Sequence, residues 1–141
     1  MTQSKEFWRK TSILAISGGA AFWVTNFAIS LTPIAAEYRA ALSISYFPML
    51  LEALVGGLII GFCVSYFLLR FFDEIPTKSP FLKSVLLSFL VLIIATMLIE
   101  VPAKFFTAMS DALRYFLIGI MFNVLRIPAL GMVIGYVYKR L

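Results

Sequence analysis

The sequence predicts an all-α integral membrane protein with four transmembrane helices, and its composition and hydropathy pattern carry this prediction. Hydrophobic residues make up 62% of the 141 residues, and charged residues only 13%. A soluble domain of this length has too little interior to bury so much apolar surface, because about a quarter of the residues in typical globular domains are charged. The apolar residues also gather in four long runs, each near the about 20 residues that a helix needs to cross a bilayer. We therefore expect a single four-helix transmembrane domain over residues 1–141.

The four runs set the bounds of the predicted transmembrane helices. They cover about residues 12–32, 46–69, 81–101 and 115–138. The first run follows a basic lead, as the core of a secretory signal does. It is nevertheless longer than the about 7–15 apolar residues of such a core, which favours a membrane helix over a cleaved leader.

The connections between the runs differ in character. The segment 73–80 is short and polar and contains two prolines, so it predicts a tight turn, with the third helix beginning near Ser79 or Pro80. The connections 33–45 and 102–114 are rich in alanine and aromatic residues. They predict short amphipathic segments lying on the outer membrane surface.

The distribution of lysine and arginine predicts how the helices are oriented. Eight of these basic residues flank the runs on one side of the membrane, and three lie on the other side. The eight are Lys5, Arg9, Lys10, Arg70, Lys78, Lys83, Lys139 and Arg140; the three are Arg39, Lys104 and Arg114. Because cytoplasmic loops carry the excess of basic residues, we expect both termini to be cytoplasmic and the four helices to form two hairpins. The prediction is a multi-pass plasma-membrane protein whose basic residues meet the lipid bilayer rather than nucleic acid.

The residue inventory argues against enzymatic chemistry. The chain has no histidine, which removes the commonest general base and metal ligand, and its one cysteine, Cys63, lies inside an apolar run. The sequence contains no phosphate-binding loop, dinucleotide fingerprint or cluster of metal-ligating residues. Asp73 and Asp111 fall in connections, whereas intramembrane aspartyl chemistry needs paired aspartates inside helices. We therefore expect no catalysis, no cofactor and no bound metal.

Small residues recur at helical spacing in two of the predicted helices. They are Ala53, Gly57, Gly61 and Ser65 in the second helix, and Gly131 and Gly135 in the fourth. Residues four apart lie on one helix face, and small side chains there let two helix backbones approach closely in lipid. Two interpretations follow: these faces pack the helices of one chain together, or they join separate chains into a homo-oligomer.

Charged residues inside the predicted helices mark a candidate site. Arg126 lies near the middle of the fourth run, and Glu52 lies about two turns into the second. A charge at the bilayer centre costs about 2.5–3.5 kcal/mol on insertion scales, so each should be paired or face water. Both residues stand five positions before a GxxxG motif, which suggests similar depth and an ion pair between them. Glu100, at the outer end of the third helix, is the rival partner for Arg126.

The surroundings of Arg126 keep both a structural and a functional interpretation open. Asn123 lies one turn earlier on the same helix face, and Pro128 removes a backbone donor and frees a carbonyl of the preceding turn. Such a helix is typical of ligand sites in broken helices, and also of an ordinary proline kink. Glu52, Asn123 and Arg126 therefore form either a structural charge pair or a solute site.

Two functions remain open from the sequence, which favours the first and keeps the second as the alternative. The first is a non-enzymatic packing or accessory subunit of a membrane assembly, with another membrane protein or further copies of the chain as partners. The second is a small oligomeric transporter or channel for an ion or small solute, which at this size would need at least a dimer to enclose a pore. A sealed Glu52–Arg126 pair would favour the subunit, and an open polar cavity would favour the transporter.

Overall fold

The computed structural model of the chain describes residues 2–107 and 110–141, and over these residues all regular secondary structure is helical. The α-helices are α1 (Thr2–Ser30), α2 (Pro33–Ala41), α3 (Tyr46–Arg70), α4 (Pro80–Ala95), α5 (Val101–Phe105) and α6 (Ala112–Arg140). A 3₁₀ turn covers Phe72–Glu74, and a π-helical turn, Thr96–Glu100, joins α4 to α5. Four stretches of the described chain are long and apolar enough to cross a membrane: α1, α3, the run Pro80–Phe105 and α6. The predicted all-α class with four such helices is confirmed.

Three helix bounds differ from the prediction. α1 begins at Thr2 rather than near residue 12, because the polar lead is also helical and carries an ion pair one turn apart, between Glu6 and Arg9. The third long helix runs on to Phe105 instead of ending near residue 101. Hydropathy locates the apolar part of a helix, whereas the backbone hydrogen bonds continue into flanking residues that include polar and charged ones. For the same reason α6 starts three residues before the predicted position, at Ala112.

Capping residues explain where α2 and α4 begin. The Thr32 hydroxyl accepts a hydrogen bond from the backbone N–H of Ala35 at 3.3 Å, and Pro33 follows it at the first helical position. α2 is the short helix expected in connection 33–45. The start of α4 at Pro80, directly after Ser79, is also confirmed. In the connection 102–114, α5 extends the third long helix, while Ala108 and Met109 lie outside the described residues.

The small residues of α3 lie against α1. A Cβ atom added to Gly61 would lie 2.7 Å from the carbonyl oxygen of Ala15, and one added to Gly57 would lie 3.2 Å from the carbonyl oxygen of Gly19. Neighbouring positions on the same face are also buried: Ala53 is 8% exposed and Ser65 is fully covered. Only residues without a large side chain let two helix backbones come this close.

The glycines of α6 lie against α4 in the same way. A Cβ atom on Gly135 would lie 2.7 Å from Cα of Phe81, and one on Gly131 would lie 2.6 Å from Cβ of Ser88. The buried Ser84 hydroxyl also donates a 2.6 Å hydrogen bond to the carbonyl oxygen of Gly131. In the described chain both glycine faces therefore make intramolecular contacts.

Two apolar clusters complete the packing. The larger joins α1, α3, α4 and α6 around side chains with no exposed surface, such as Leu14, Leu68 and Leu130. The smaller packs α2 onto α6 through Ala35, with Ile118 and Phe122 on the α6 side. Between α2 and the ends of the long helices this second contact leaves space that apolar side chains do not fill.

Candidate functional site

A cavity of about 470 Å³ lies between α1, α2, α3, the π turn and α6. Its polar lining comes from all of these elements and consists of Asn26, Tyr38, Glu52, Glu100, Asn123 and Arg126. A smaller pocket of about 70 Å³ shares Asn26, Tyr38 and Arg126 with it and reaches Arg39 of α2. The four charged or polar residues that the sequence singled out, at positions 52, 100, 123 and 126, thus line one cavity.

Arg126 is held in this cavity by uncharged partners. Its guanidinium donates a 2.7 Å hydrogen bond to Oδ1 of Asn26 and a second hydrogen bond to Oδ1 of Asn123. Its Cζ atom lies 4.9 Å from the ring centroid of Phe22, in cation–π geometry. The Nε atom is buried and has no hydrogen-bond partner among the described residues. Arg126 therefore faces the cavity as a cation without a carboxylate partner in the described chain.

Glu100 and Lys104 form a separate ion pair that neutralises itself. The Lys104 ammonium donates to Oε2 of Glu100 at 2.7 Å and to the Tyr38 hydroxyl at 2.7 Å. The side chains of Lys104 and Glu100 are only 4% and 11% exposed. The other carboxylate oxygen of Glu100 accepts a longer hydrogen bond, 3.5 Å, from Nδ2 of Asn123. Glu100 thus reaches Arg126 only through Asn123, and its charge is already matched by Lys104.

The π turn and a glycine of α6 position this ion pair. The N–H of Val101 bonds the carbonyl oxygen of Thr96, five residues back, immediately before Pro102, which has no N–H to donate. The turn leaves Glu100 buried while Ile99 is 62% exposed. On the facing helix, a Cβ atom at Gly119 would lie 2.6 Å from Oε2 of Glu100. Gly119 therefore provides the space that the carboxylate occupies.

Glu52 lines the same cavity as Arg126 without contacting it. Within the described residues it forms neither a salt bridge nor a side-chain hydrogen bond, and it is exposed. The direct Glu52–Arg126 ion pair suggested by the sequence is therefore not formed. The guanidinium instead donates hydrogen bonds to the amide oxygens of Asn26 and Asn123.

Pro128 does not break α6. The helix is continuous from Ala112 to Arg140 with Pro128 buried inside it, so the cavity lies beside an unbroken helix rather than between half-helices. Neighbouring turns of a membrane helix can satisfy the carbonyl group that a proline frees. The proline near Arg126 is thus accommodated by the packing of α6 and does not line the cavity.

Three residues of the site were not predicted from the sequence: Asn26, Tyr38 and Lys104. Asn26 could have been found by the reasoning that selected Asn123, because it too is an amide side chain inside an apolar run. Lys104 stands four residues after Glu100, the spacing of a helical ion pair, but it fell in a segment assigned to a connection. Tyr38 gave no signal, because only the packing of α2 on α6 brings it to the cavity.

The site offers hydrogen-bond donors, acceptors and charge, and within the described residues no group of three or more carboxylate or cysteine side chains could hold a metal ion. Comparison of the chain with protein-family models, with curated proteins and with solved structures finds no match. The chemistry of the cavity is therefore what bears on function.

Proposed function

We propose that this chain is a small non-enzymatic transporter of the plasma membrane that binds a molecule bearing a carboxylate or phosphate group at Arg126. The observation that carries the proposal is a guanidinium that faces an open cavity and that has two amide oxygens, and no carboxylate, as partners among the described residues. Burying a cation in a low-dielectric environment is unfavourable unless an anion compensates for the lost hydration. Guanidinium groups bind carboxylate and phosphate through paired N–H donors, and the buried Nε of Arg126 has no hydrogen-bond partner among the described residues.

The contrast with Lys104 supports this assignment. Lys104 does not line the cavity itself; it is paired with Glu100, which does, and is 3% exposed, which fits a structural role. The side-chain hydrogen bonds of Arg126 in the described chain go to amide oxygens, and Arg126 lines the cavity. A ligand anion would supply for Arg126 the charge that Glu100 supplies for Lys104.

A packing or accessory subunit, possible from the sequence, has less support. Its main argument was the pair of small-residue faces on α3 and α6, and these faces are covered by α1 and α4 of the same chain. A homo-oligomer, or assembly with another membrane protein, then has to use other surfaces. For the proposed transporter, an oligomer remains the expected form because one four-helix chain encloses little volume.

The first test is loss of anion binding in Arg126→Gln. In an uncharged detergent, acetate or inorganic phosphate should raise the melting temperature of the wild-type protein, because a ligand that binds only the folded state stabilises it. Arg126→Gln keeps hydrogen-bonding capacity but removes the charge. We therefore expect the apparent affinity for the anion, taken from the concentration dependence of the melting temperature, to fall at least about tenfold, the effect of one charged hydrogen bond. Arg114→Gln is the matched control, since Arg114 is an exposed arginine of the same helix.

Either of two results would contradict the proposed site. One is an equal anion-dependent rise in melting temperature for wild type and Arg126→Gln. The other is the absence of any such rise in the wild type for both anions and also for glycine and phosphoethanolamine, which carry the same anionic groups. If the site is present, flux of the better anion into reconstituted liposomes should also fall in Arg126→Gln and persist in Arg114→Gln.

The proposed orientation, with both termini cytoplasmic, has its own test. In a Cys63→Ser background, Glu74→Cys and Leu113→Cys place single thiols at exposed positions at opposite ends of the long helices. Acidic residues contribute little to orientation, so Glu74→Cys leaves the basic residues that set it intact. We expect a membrane-impermeant maleimide to label Leu113→Cys in intact cells and Glu74→Cys only after permeabilisation. The reverse pattern would mean that both termini face outward.

A further inference from the structure

Glu52 gives the cavity a second charge of opposite sign that no described residue neutralises. We propose that the ligand is a small zwitterion, with its anionic group at the Arg126 guanidinium and an ammonium group at the Glu52 carboxylate. This inference rests on the proposed function, because it names the class of molecule that the same site takes.

The argument follows from the arrangement of charges. Lys104 and Glu100 neutralise each other, which leaves Arg126 and Glu52 as the cation and the anion available to a ligand in this cavity. A simple anion would satisfy Arg126 but bring a second negative charge near Glu52, and a simple cation would have the opposite difficulty. A molecule carrying both charges satisfies both side chains and keeps the filled cavity neutral.

Size and separation agree with this assignment. Arg126 and Glu52 line the same cavity and form no salt bridge with each other in the described chain, so both charges are free to meet a ligand. The volume of about 470 Å³ falls within the range of roughly 300–1,000 Å³ for small-molecule sites. The amide groups of Asn26 and Asn123 hold the guanidinium in place, so the anion end has a fixed position.

One wall of the cavity bears on where the zwitterion comes from. Gly56 of α3 lines the cavity, and a Cβ atom added there would meet no atom within 4 Å. Ile99, across from it on the π turn, is 62% exposed and also lines the cavity. The shared chemistry, an ammonium joined to a phosphate or carboxylate, occurs in free amino acids and phosphoethanolamine and also in the headgroup of phosphatidylethanolamine. An open side between two apolar helices is compatible with a headgroup whose acyl chains stay in the bilayer.

The test compares pairs of probes that differ only in the ammonium group. Affinities are measured by calorimetry on the full chain in an uncharged detergent. The pairs are glycine with acetate, 4-aminobutyrate with butyrate, 6-aminohexanoate with hexanoate, and phosphoethanolamine with ethyl phosphate. The carboxylate series covers different distances between the two charges. We expect at least one zwitterion to bind about tenfold or more tightly than its partner, the increment of a charge-assisted hydrogen bond.

Two variants assign the gain to its residue. Glu52→Gln should bind the zwitterion and its matched anion equally, while Arg126→Gln should lose both. An ammonium that adds nothing in any pair, or a gain that survives Glu52→Gln, would overturn the zwitterion and leave the anion site standing. Absence of Arg126-dependent binding for every probe would overturn the proposed function itself, and the zwitterion with it.

The two sources are separated by blocking the open side. Gly56→Phe places a ring in the open space, and Ile59→Phe, at an exposed position of the same helix, is the matched control. The preference of the reconstituted protein for phosphatidylethanolamine over phosphatidylglycerol is measured in nanodiscs. It is compared with the binding of free phosphoethanolamine by the protein. A headgroup ligand predicts a Glu52-dependent preference for phosphatidylethanolamine that Gly56→Phe alone removes. A free solute predicts Glu52-dependent binding of phosphoethanolamine or an amino acid, with no lipid preference. If neither the lipid preference nor the binding of free zwitterions depends on Glu52, the proposal is overturned.

Discussion

Replacing Lys104 with methionine is expected to lower the free energy of unfolding by about 3–5 kcal/mol, the usual effect of removing one partner of a buried ion pair. Methionine retains much of the volume of the lysine side chain but leaves Glu100, whose side chain is 11% exposed, without its cation. The Tyr38 hydroxyl loses its hydrogen-bond donor in the same variant. Reversible unfolding in mixed micelles with increasing SDS, followed by circular dichroism, measures the change.

A double variant and an exposed ion pair serve as controls for this effect. Adding Glu100→Gln to Lys104→Met removes the uncompensated charge, so most of the lost stability should return. Arg114→Gln breaks the pair with Glu37, whose side chains are 55% and 43% exposed, and should change stability by less than about 1 kcal/mol. Equal losses for Lys104→Met and Arg114→Gln would show that the Glu100–Lys104 pair is solvated rather than buried.

Gly61→Ala is expected to destabilise the protein by about 1–3 kcal/mol, as overpacking of a well-packed contact does. The new methyl group would lie 2.7 Å from the carbonyl oxygen of Ala15 and 3.3 Å from the backbone nitrogen of Gly19. Both atoms belong to the backbone of α1, so the contact can relax only if the two helices move apart. The same unfolding measurement reports the loss.

Gly56→Ala is the matched control, because the same substitution about 1.4 turns earlier on α3 meets open space. It should leave stability unchanged or raise it slightly, since alanine restricts the unfolded backbone more than glycine does. If Gly61→Ala and Gly56→Ala had the same effect, α3 and α1 would not pack through Gly61. That result would reopen the small-residue face as a surface between chains.

Lys104 and Gly61 stabilise the walls of the cavity and are not expected to contact the ligand. The Glu100–Lys104 pair lies at one side of it, and the α1–α3 contact fixes the helices that carry Asn26 and Glu52. Variants at these positions should therefore reduce stability first and ligand binding only as a consequence. Arg126 and Glu52, by contrast, have charges that the described fold leaves unmatched, so their substitution should alter binding more than folding.

The sequence by itself determined the helical class, the number of membrane-length helices and the start of α4 at Pro80. These features depend on hydropathy, length and capping, which are local properties of the chain. It also selected Glu52, Glu100, Asn123 and Arg126, because polar groups in apolar runs stand out whatever they contact. All of them line the cavity, although their partners were not predictable in the same way.

Only the tertiary structure decided which groups meet. Arg126 bonds Asn26, which lies one hundred residues away in the sequence, rather than Glu52 at the suggested matching depth. Lys104 forms its ion pair with Glu100, because the π turn and the space at Gly119 place the two side chains inside the bundle. The glycine faces of α3 and α6 are covered within the chain, a choice that their spacing leaves open. Periodicity fixes the face of a helix on which a residue lies, but the partner of that face depends on how the helices pack, and packing is a property of the whole bundle.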